Sequence, residues 1–174
     1  MNKTLLRELE LADNLKMFLD ILEKENDLDC ELAVKRIFYK WRVLHDPYFA
    51  FKGHDFESTI KLDFKKYSVK YSECSLFQFY IGIVMWIEPW SPIPLSEYSE
   101  NMEYYDKLGK LMIKKASLLS PETKLYQYYS SDNKETRKQL LKEFLLDKDY
   151  PLKGGEIQHY FERILEATRK DYDI

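Results

Sequence analysis

The three histidines are the residues best suited to catalysis or metal binding, and their neighbours in the sequence do not complete a motif. Glu156 and His159 have i,i+3 spacing, which places a carboxylate and an imidazole on one face of a helix. A di-iron site needs a second pair of this kind, and neither His45 nor His54 has a glutamate three residues before it. The spacing therefore favours a solvent-facing Glu–His pair. A mononuclear metal site built from several helices stays an alternative.

Other sequence signatures of catalysis are missing. The sequence contains no zinc-ligand spacing, no phosphate-binding glycine loop and no nucleophile elbow. Gly154 and Gly155 precede a predicted helix, whose first N–H groups can hold an anion, although a plain helix start is the simpler interpretation. We therefore expect a protein without catalytic residues, metal or cofactor. A helical enzyme with a dispersed carboxylate or histidine site is kept as a second alternative.

Cys30 and Cys74 are the two cysteines of the chain, and no Cys-x-x-Cys pattern occurs. Two thiols without a recognisable pattern indicate reduced side chains and a cytoplasmic protein. A disulfide between them stays an alternative, because the sequence does not give the distance between the two residues.

Composition and charge indicate a globular protein that binds neither nucleic acid nor membranes. Lys and Arg total 27 against 30 Asp and Glu, which gives a net charge of −3 and no basic excess for phosphate binding. The longest apolar stretch, residues 76–87, is shorter than the roughly 20 residues of a membrane span. The first residues also lack the long apolar core of a signal peptide.

An acidic, aromatic stretch is the strongest functional signal. Residues 88–106 contain five acids and no Lys or Arg, with aromatic residues between the acids. Acidic side chains steer a basic protein partner, and aromatic side chains anchor it once water leaves the interface. A solvated helix face is the alternative interpretation. The predicted contact residues, called here the acidic aromatic surface, are Trp90, Glu97, Tyr98, Glu100, Glu103, Tyr104, Tyr105 and Asp106.

A second run of acids lies nearer the N-terminus and lacks aromatic residues. Six acids and one base, Lys24, occupy residues 20–31, so the local charge is 1 − 6 = −5. We treat this run as a secondary acidic patch for a basic partner, with solvated helix faces again as the alternative. Its members are Asp20, Glu23, Glu25, Asp27, Asp29 and Glu31.

Apolar residues spaced by three and four predict helices along most of the chain, including one continuous helix over residues 3–25. Residues 48–72 fit both a helix and a hairpin. The helix is favoured because Asp55 can cap it, Glu57 and Lys61 have i,i+4 spacing, and apolar residues from Phe56 onward recur in steps of four and three. The predicted fold class is all-α: one domain, residues 1–174, built as a bundle or short solenoid-like stack of seven to eight helices. An α+β fold with a small hairpin near residues 48–72 is the alternative. A proline-rich loop divides the domain into predicted lobes 1–88 and 95–174.

One segment resembles a helix of the tetratricopeptide-repeat family. Gly109, Ile113, Ala116 and Pro121 keep the spacing of the second helix of that repeat. The resemblance implies that the two small residues admit a neighbouring helix, that Ile113 fills the groove and that Pro121 starts the next helix. A helical adaptor that binds a peptide or partner helix is therefore the first alternative function.

In overall character, the chain resembles the small, acidic, single-domain immunity proteins that bacteria carry against their own toxins. The resemblance rests on size, on negative charge and on the missing catalytic motif. It implies stoichiometric binding of a cognate toxin, often a nuclease, whose basic cleft accepts an acidic, aromatic surface. The predicted function is therefore inhibition of a basic protein partner without catalysis.

Overall fold

The computed structural model describes residues 3–11, 14–45, 55–87 and 98–172, with the side chains of the long sixth helix described from Met102 onward. These residues form nine α-helices and no strand, so the all-α prediction is confirmed. The helices are α1 (Lys3–Leu11), α2 (Leu15–Glu23), α3 (Cys30–His45), α4 (Phe56–Lys70), α5 (Ser75–Ile87), α6 (Tyr98–Leu119), α7 (Lys124–Ser130), α8 (Lys134–Asp147) and α9 (Gly155–Asp171).

The single helix predicted over residues 3–25 is wrong, because the chain forms two helices there. The side chain of Asn14 accepts a 3.3 Å hydrogen bond from the backbone N–H of Met17 and caps the start of α2. Asn bonds readily to nearby backbone and favours caps over helix interiors. The leucine spacing continues across the break, so periodicity alone does not reveal it.

Helix α3 is the central helix and packs against α2, α4, α5 and α9. Asp29 caps its first turn by accepting a 3.0 Å hydrogen bond from the N–H of Leu32. The apolar residues Ala33, Ile37 and Trp41, which recur at helical spacing, are buried, whereas Leu44, the next at that spacing, is 38% exposed. Charged residues are also buried along this helix, and their partners belong to the site described below.

Residues 56–70 form the helix that was favoured over a hairpin. Asp55 caps it by accepting a 3.1 Å hydrogen bond from the N–H of Ser58. Glu57 and Lys61 form the i,i+4 ion pair expected of a helix, with Nζ and Oε1 3.5 Å apart. The earlier part of the ambiguous segment, residues 48–54, lies outside the described residues.

Two glycines bring α5 and α6 into close contact. A Cβ added to Gly109 would lie 2.7 Å from the carbonyl oxygen of Gly82 and 2.7 Å from the backbone nitrogen of Trp86. The close approach predicted for Gly109 is therefore confirmed. The next helix does not start at Pro121, since a turn intervenes and α7 begins at Lys124.

The prediction of reduced thiols is wrong in this structure, where Cys30 and Cys74 form a disulfide bond. Cys30 begins α3 and Cys74 directly precedes α5, and these two helices pack together. The two cysteines are 44 positions apart in the sequence, and the packing of the two helices brings them together. Disulfides persist mainly in oxidising compartments, so the thiol-based reason for a cytoplasmic location no longer holds.

One aromatic-rich core includes residues from both sides of the predicted lobe boundary. Phe79 of α5 packs against Tyr126 of α7 and Phe161 of α9, with ring centroids 4.4 and 5.7 Å apart. The boundary loop itself lies outside the described residues. None of the described helices has the length and apolarity needed to cross a bilayer.

Candidate functional site

The structure describes half of the acidic aromatic surface. Trp90 and Glu97 lie outside the described residues. Tyr98 and Glu100 belong to the first turn of α6, ahead of the described side chains. The remaining four members follow on the next turns of the same helix. They are Glu103, Tyr104, Tyr105 and Asp106.

Acid and aromatic groups are both accessible on this part of α6. The side chain of Glu103 is 80% exposed and Tyr104 is 58% exposed. The rings of Tyr104 and Tyr105 meet edge to face, with centroids 5.1 Å apart. Adjacent aromatic rings and an exposed carboxylate are the groups that a basic protein surface can pair with and bury.

The two described acids of this surface form ion pairs within α6. Glu103 pairs with Lys107 at 2.6 Å and Asp106 pairs with Lys110 at 2.8 Å. The hydrogen bond from Lys107 lowers the pKa of Glu103, so this carboxyl is charged at neutral pH. Exposed i,i+4 pairs are weak, and a partner's Arg or Lys can take the place of the helix's own lysines.

An exposed apolar stripe continues along α6 from this surface. Leu111 is 64% exposed and Leu118 is 74% exposed. Together with Tyr104 they are spaced by seven residues, or nearly two helical turns, and so lie on one side of α6. Large exposed apolar side chains in a row are typical of an interaction surface.

The secondary acidic patch has partners inside the chain. Asp29 caps α3, and Glu31 pairs with Lys35 at 2.8 Å. Glu23 and Asp27 also form ion pairs, with Lys40 and Lys70 respectively, and the bond from Lys70 lowers the pKa of Asp27. Glu23 thus connects α2 to α3, and Asp27 connects the loop between them to α4. A helix cap and ion pairs within the chain therefore explain the presence of at least four of the six acids.

Asp63 is the centre of a buried ionic cluster that sequence reasoning missed. Its carboxylate accepts hydrogen bonds from Arg36 and, at 2.5 Å, from Lys40, whose side chain is fully buried. Arg36 also donates a 2.7 Å bond to the carbonyl oxygen of Leu22 at the end of α2. The available signal was the placement of two bases, four residues apart, among the apolar residues of α3.

A second buried cluster forms where α1 meets the start of α9. Glu10 accepts hydrogen bonds from Tyr39 and, at 2.8 Å, from Lys35. Burial and the neighbouring Glu10 raise the pKa of Tyr39 well above its usual range. Gly155 has a φ of 65°, and a Cβ there would overlap the Glu10 side chain. The groups are paired with one another, which fits a structural role for this cluster.

The solvent-facing pair predicted for Glu156 and His159 is wrong, because Glu156 is buried at the start of α9. Its carboxylate pairs with Arg42 at 3.1 Å and with Arg163 at 2.6 Å, while His159 is exposed. The Nδ1 of His45 lies 2.8 Å from the carbonyl oxygen of Trp41. Within the described residues, no three His, Cys, Asp or Glu side chains come together as a metal site.

Comparison with protein-family models, with curated proteins and with solved structures finds no match to this chain. No relative therefore supplies a role for any of these residues, and function is argued from the surface of α6.

Proposed function

We propose that this chain is a stoichiometric protein-binding inhibitor, an immunity protein that neutralises a basic bacterial toxin such as a nuclease. The supporting observation is the exposure of Glu103 together with the adjacent rings of Tyr104 and Tyr105 on α6. The remaining predicted contacts stay part of the proposal on the strength of the sequence. They are Trp90, Glu97, Tyr98, Glu100 and Asp106.

Acid and aromatic groups have separate roles in this proposal. The carboxylates of Glu103 and Asp106 attract a basic partner and raise the association rate. When the partner docks, its Arg or Lys side chains replace Lys107 and Lys110 in the exposed pairs. The rings of Tyr104 and Tyr105 then lose water and slow dissociation, as large aromatic anchors do at interfaces.

The length of α6 suits an interface of ordinary size. A helix of 22 residues is about 33 Å long. A standard interface buries roughly 800 Å² on each partner, and a helix of this length with its flanking side chains can supply much of that area. Leu111 and Leu118 extend the contact beyond the acidic turns, so binding gains an apolar component.

A cytoplasmic location is part of the proposal, because an immunity protein protects the cell that makes the toxin. The location needs a test of its own, because the Cys30–Cys74 disulfide is of a kind typical of oxidising compartments. Cell fractionation of the tagged chain should recover it in the cytoplasm. Recovery from an extracytoplasmic fraction would contradict the location and leave the binding proposal to be tested separately.

The test of function combines capture with neutralisation. The tagged chain should retain one basic protein from its source cells, and that protein, produced alone in a host, should arrest growth. Co-production of the wild-type chain should restore growth. A variant with Glu103→Lys and Tyr104→Ala should not restore it, whereas a captured protein that is harmless when produced alone would contradict the proposal.

A matched control separates the surface from general effects of substitution. Glu57 is exposed and forms an i,i+4 pair with Lys61, as Glu103 does with Lys107. The nearby Leu62 is 67% exposed on the same helix, α4. A variant with Glu57→Lys and Leu62→Ala should neutralise the toxin as well as the wild type does. Equal loss in both variants would remove α6 from the proposal.

A helical adaptor is the second candidate, and the apolar stripe of α6 favours it. An adaptor that binds a partner helix would depend on Leu111 and Leu118 more than on Glu103. Leu111→Ser would then weaken binding strongly, and added salt would change affinity little. The inhibitor proposal instead predicts that substitution of Glu103 weakens binding more than substitution of Leu111 does, and that added salt weakens binding clearly.

A further inference from the structure

A cleft of about 530 Å³ lies between α5, α6 and the turn that joins α7 to α8. Its volume is within the range of small-molecule binding sites, roughly 300–1,000 Å³. Trp86 and Tyr129 supply aromatic surface, and Leu111 supplies apolar surface. The cleft is also lined by Lys107, Lys110, Lys114 and Arg137.

The lining is basic although the whole chain is acidic. Four lining side chains carry positive charge and one, Asp132, carries negative charge, whereas the chain has a net charge of −3. Lys107 and Lys110 pair with Glu103 and Asp106 of their own helix. Within the described residues, Lys114 and Arg137 have no carboxylate partner, which leaves two cations available to an anion.

Arg137 is positioned by an aromatic ring instead of an acid. Its guanidinium carbon lies 5.0 Å from the ring centroid of Tyr128, and its Nη2 makes a long 3.4 Å hydrogen bond to that hydroxyl. The buried Nε of Arg137 has no hydrogen-bond acceptor among the described residues. A guanidinium that lies against an aromatic ring and has no carboxylate partner is well suited to bind a phosphate or carboxylate.

Trp86 supplies aromatic surface to the cleft next to Lys110. The Nζ of Lys110 lies 6.0 Å from the centroid of the Trp86 ring, and the ring of Tyr129 meets Trp86 edge to face at 6.2 Å. Trp86 is half-buried, so its position is fixed by packing while part of its surface remains accessible. A planar ligand group can pack between Trp86 and Leu111.

We propose that this cleft binds a small ligand in which an aromatic ring carries a phosphate or carboxylate group. The anionic group pairs with Lys114 and Arg137, and the ring packs against Trp86. The cleft shares Leu111, Lys107 and Lys110 with the α6 surface of the proposed function, but Trp86, Lys114 and Arg137 carry the inference, which does not rest on that function.

The test is calorimetric titration of the purified full chain with three complete probes: phenyl phosphate, adenosine 5′-monophosphate and indole-3-acetate. Inorganic phosphate and adenosine serve as half-ligands. At least one complete probe should bind saturably with a Kd of about 1 mM or tighter, and more tightly than either half-ligand. The same probe should shift the indole N–H resonance of Trp86, assigned with W86F.

Two variants with equal charge change decide whether binding occurs in the cleft. Lys114→Gln with Arg137→Gln removes the two available cations and should weaken the probe at least about tenfold. Lys153→Gln with Arg169→Gln removes two cations that do not line the cleft and should leave the Kd unchanged. Absence of saturable binding by all three complete probes, or equal affinity of both variants, would overturn the proposal.

Discussion

Replacing Gly109 by alanine tests the close contact that joins α5 to α6. The added Cβ would lie 2.7 Å from the Gly82 carbonyl oxygen and 2.7 Å from the Trp86 backbone nitrogen. Both neighbours are backbone atoms of α5, which cannot rotate away as a side chain can. The two helices must therefore separate, and the side chains packed between them lose contacts.

The expected effect is a net loss of stability. Overpacking of this kind costs about 3 kcal/mol, the upper end of the usual range, because backbone has to move. The better helix propensity of alanine offsets about 1 kcal/mol of this cost. The difference, about 2 kcal/mol of unfolding free energy, corresponds to a melting temperature lower by roughly 4–8 °C for a chain of this size.

Urea unfolding followed by circular dichroism measures this difference directly. Gly82→Ala should cost less, since its Cβ would lie 2.9 Å from the Gly109 carbonyl oxygen and 3.0 Å from Met112 Cβ. Leu118→Ala, at an exposed position of α6, should change stability by no more than about 0.5 kcal/mol. Wild-type or greater stability of Gly109→Ala would refute the close approach of the two helices.

The disulfide, the buried ion pairs and the buried tyrosines give three further predictions. The Cys30–Cys74 bond closes a 44-residue span, and its reduction should lower the unfolding free energy by about 4 kcal/mol on the chain-entropy model. Free thiols detected by titration before reduction would contradict the bond. Asp63→Asn leaves the buried Arg36 without a carboxylate and Lys40 with Glu23 alone, and it should cost about 3 kcal/mol in urea unfolding. A cost below about 1 kcal/mol would exclude the pairs. Burial raises the pKa of Tyr150 to about 12, against about 10 when unfolded, so stability should fall as pH rises from 10 to 12. Ultraviolet titration of tyrosinate measures this, and ionisation of all tyrosines near pH 10 in the folded chain would contradict it.

Local signals in the sequence were sufficient for much of the fold. The helix over residues 56–70 was predicted from a capping acid, an i,i+4 pair and four-residue apolar steps, all of which lie within the helix itself. The close approach at Gly109 was expected from the resemblance of residues 109–121 to a tetratricopeptide-repeat helix. The break at Asn14 was missed because the leucine periodicity continues through it, although Asn is a common cap residue.

Pairings between distant residues could not be predicted from the sequence. The acids near residues 20–31 look like a charged surface until α3 and α4 bring lysines to them. Asp63 and Lys40 are 23 positions apart, and the two cysteines are 44 apart. Periodicity identifies the buried face of a helix, but it does not identify which helix packs against that face.

Association kinetics with the captured partner test the central claim most directly. A variant with Glu97→Lys, Glu100→Lys and Glu103→Lys should reduce the association rate constant by at least about tenfold at low salt and leave the melting temperature nearly unchanged. A control triple variant reverses three acids outside this surface, Glu57, Glu135 and Glu166, all of which are exposed. The proposal predicts that this control associates at a rate near that of the wild type and that high salt removes most of the difference. Equal association rates for the two triple variants at low salt would contradict binding through the acidic aromatic surface.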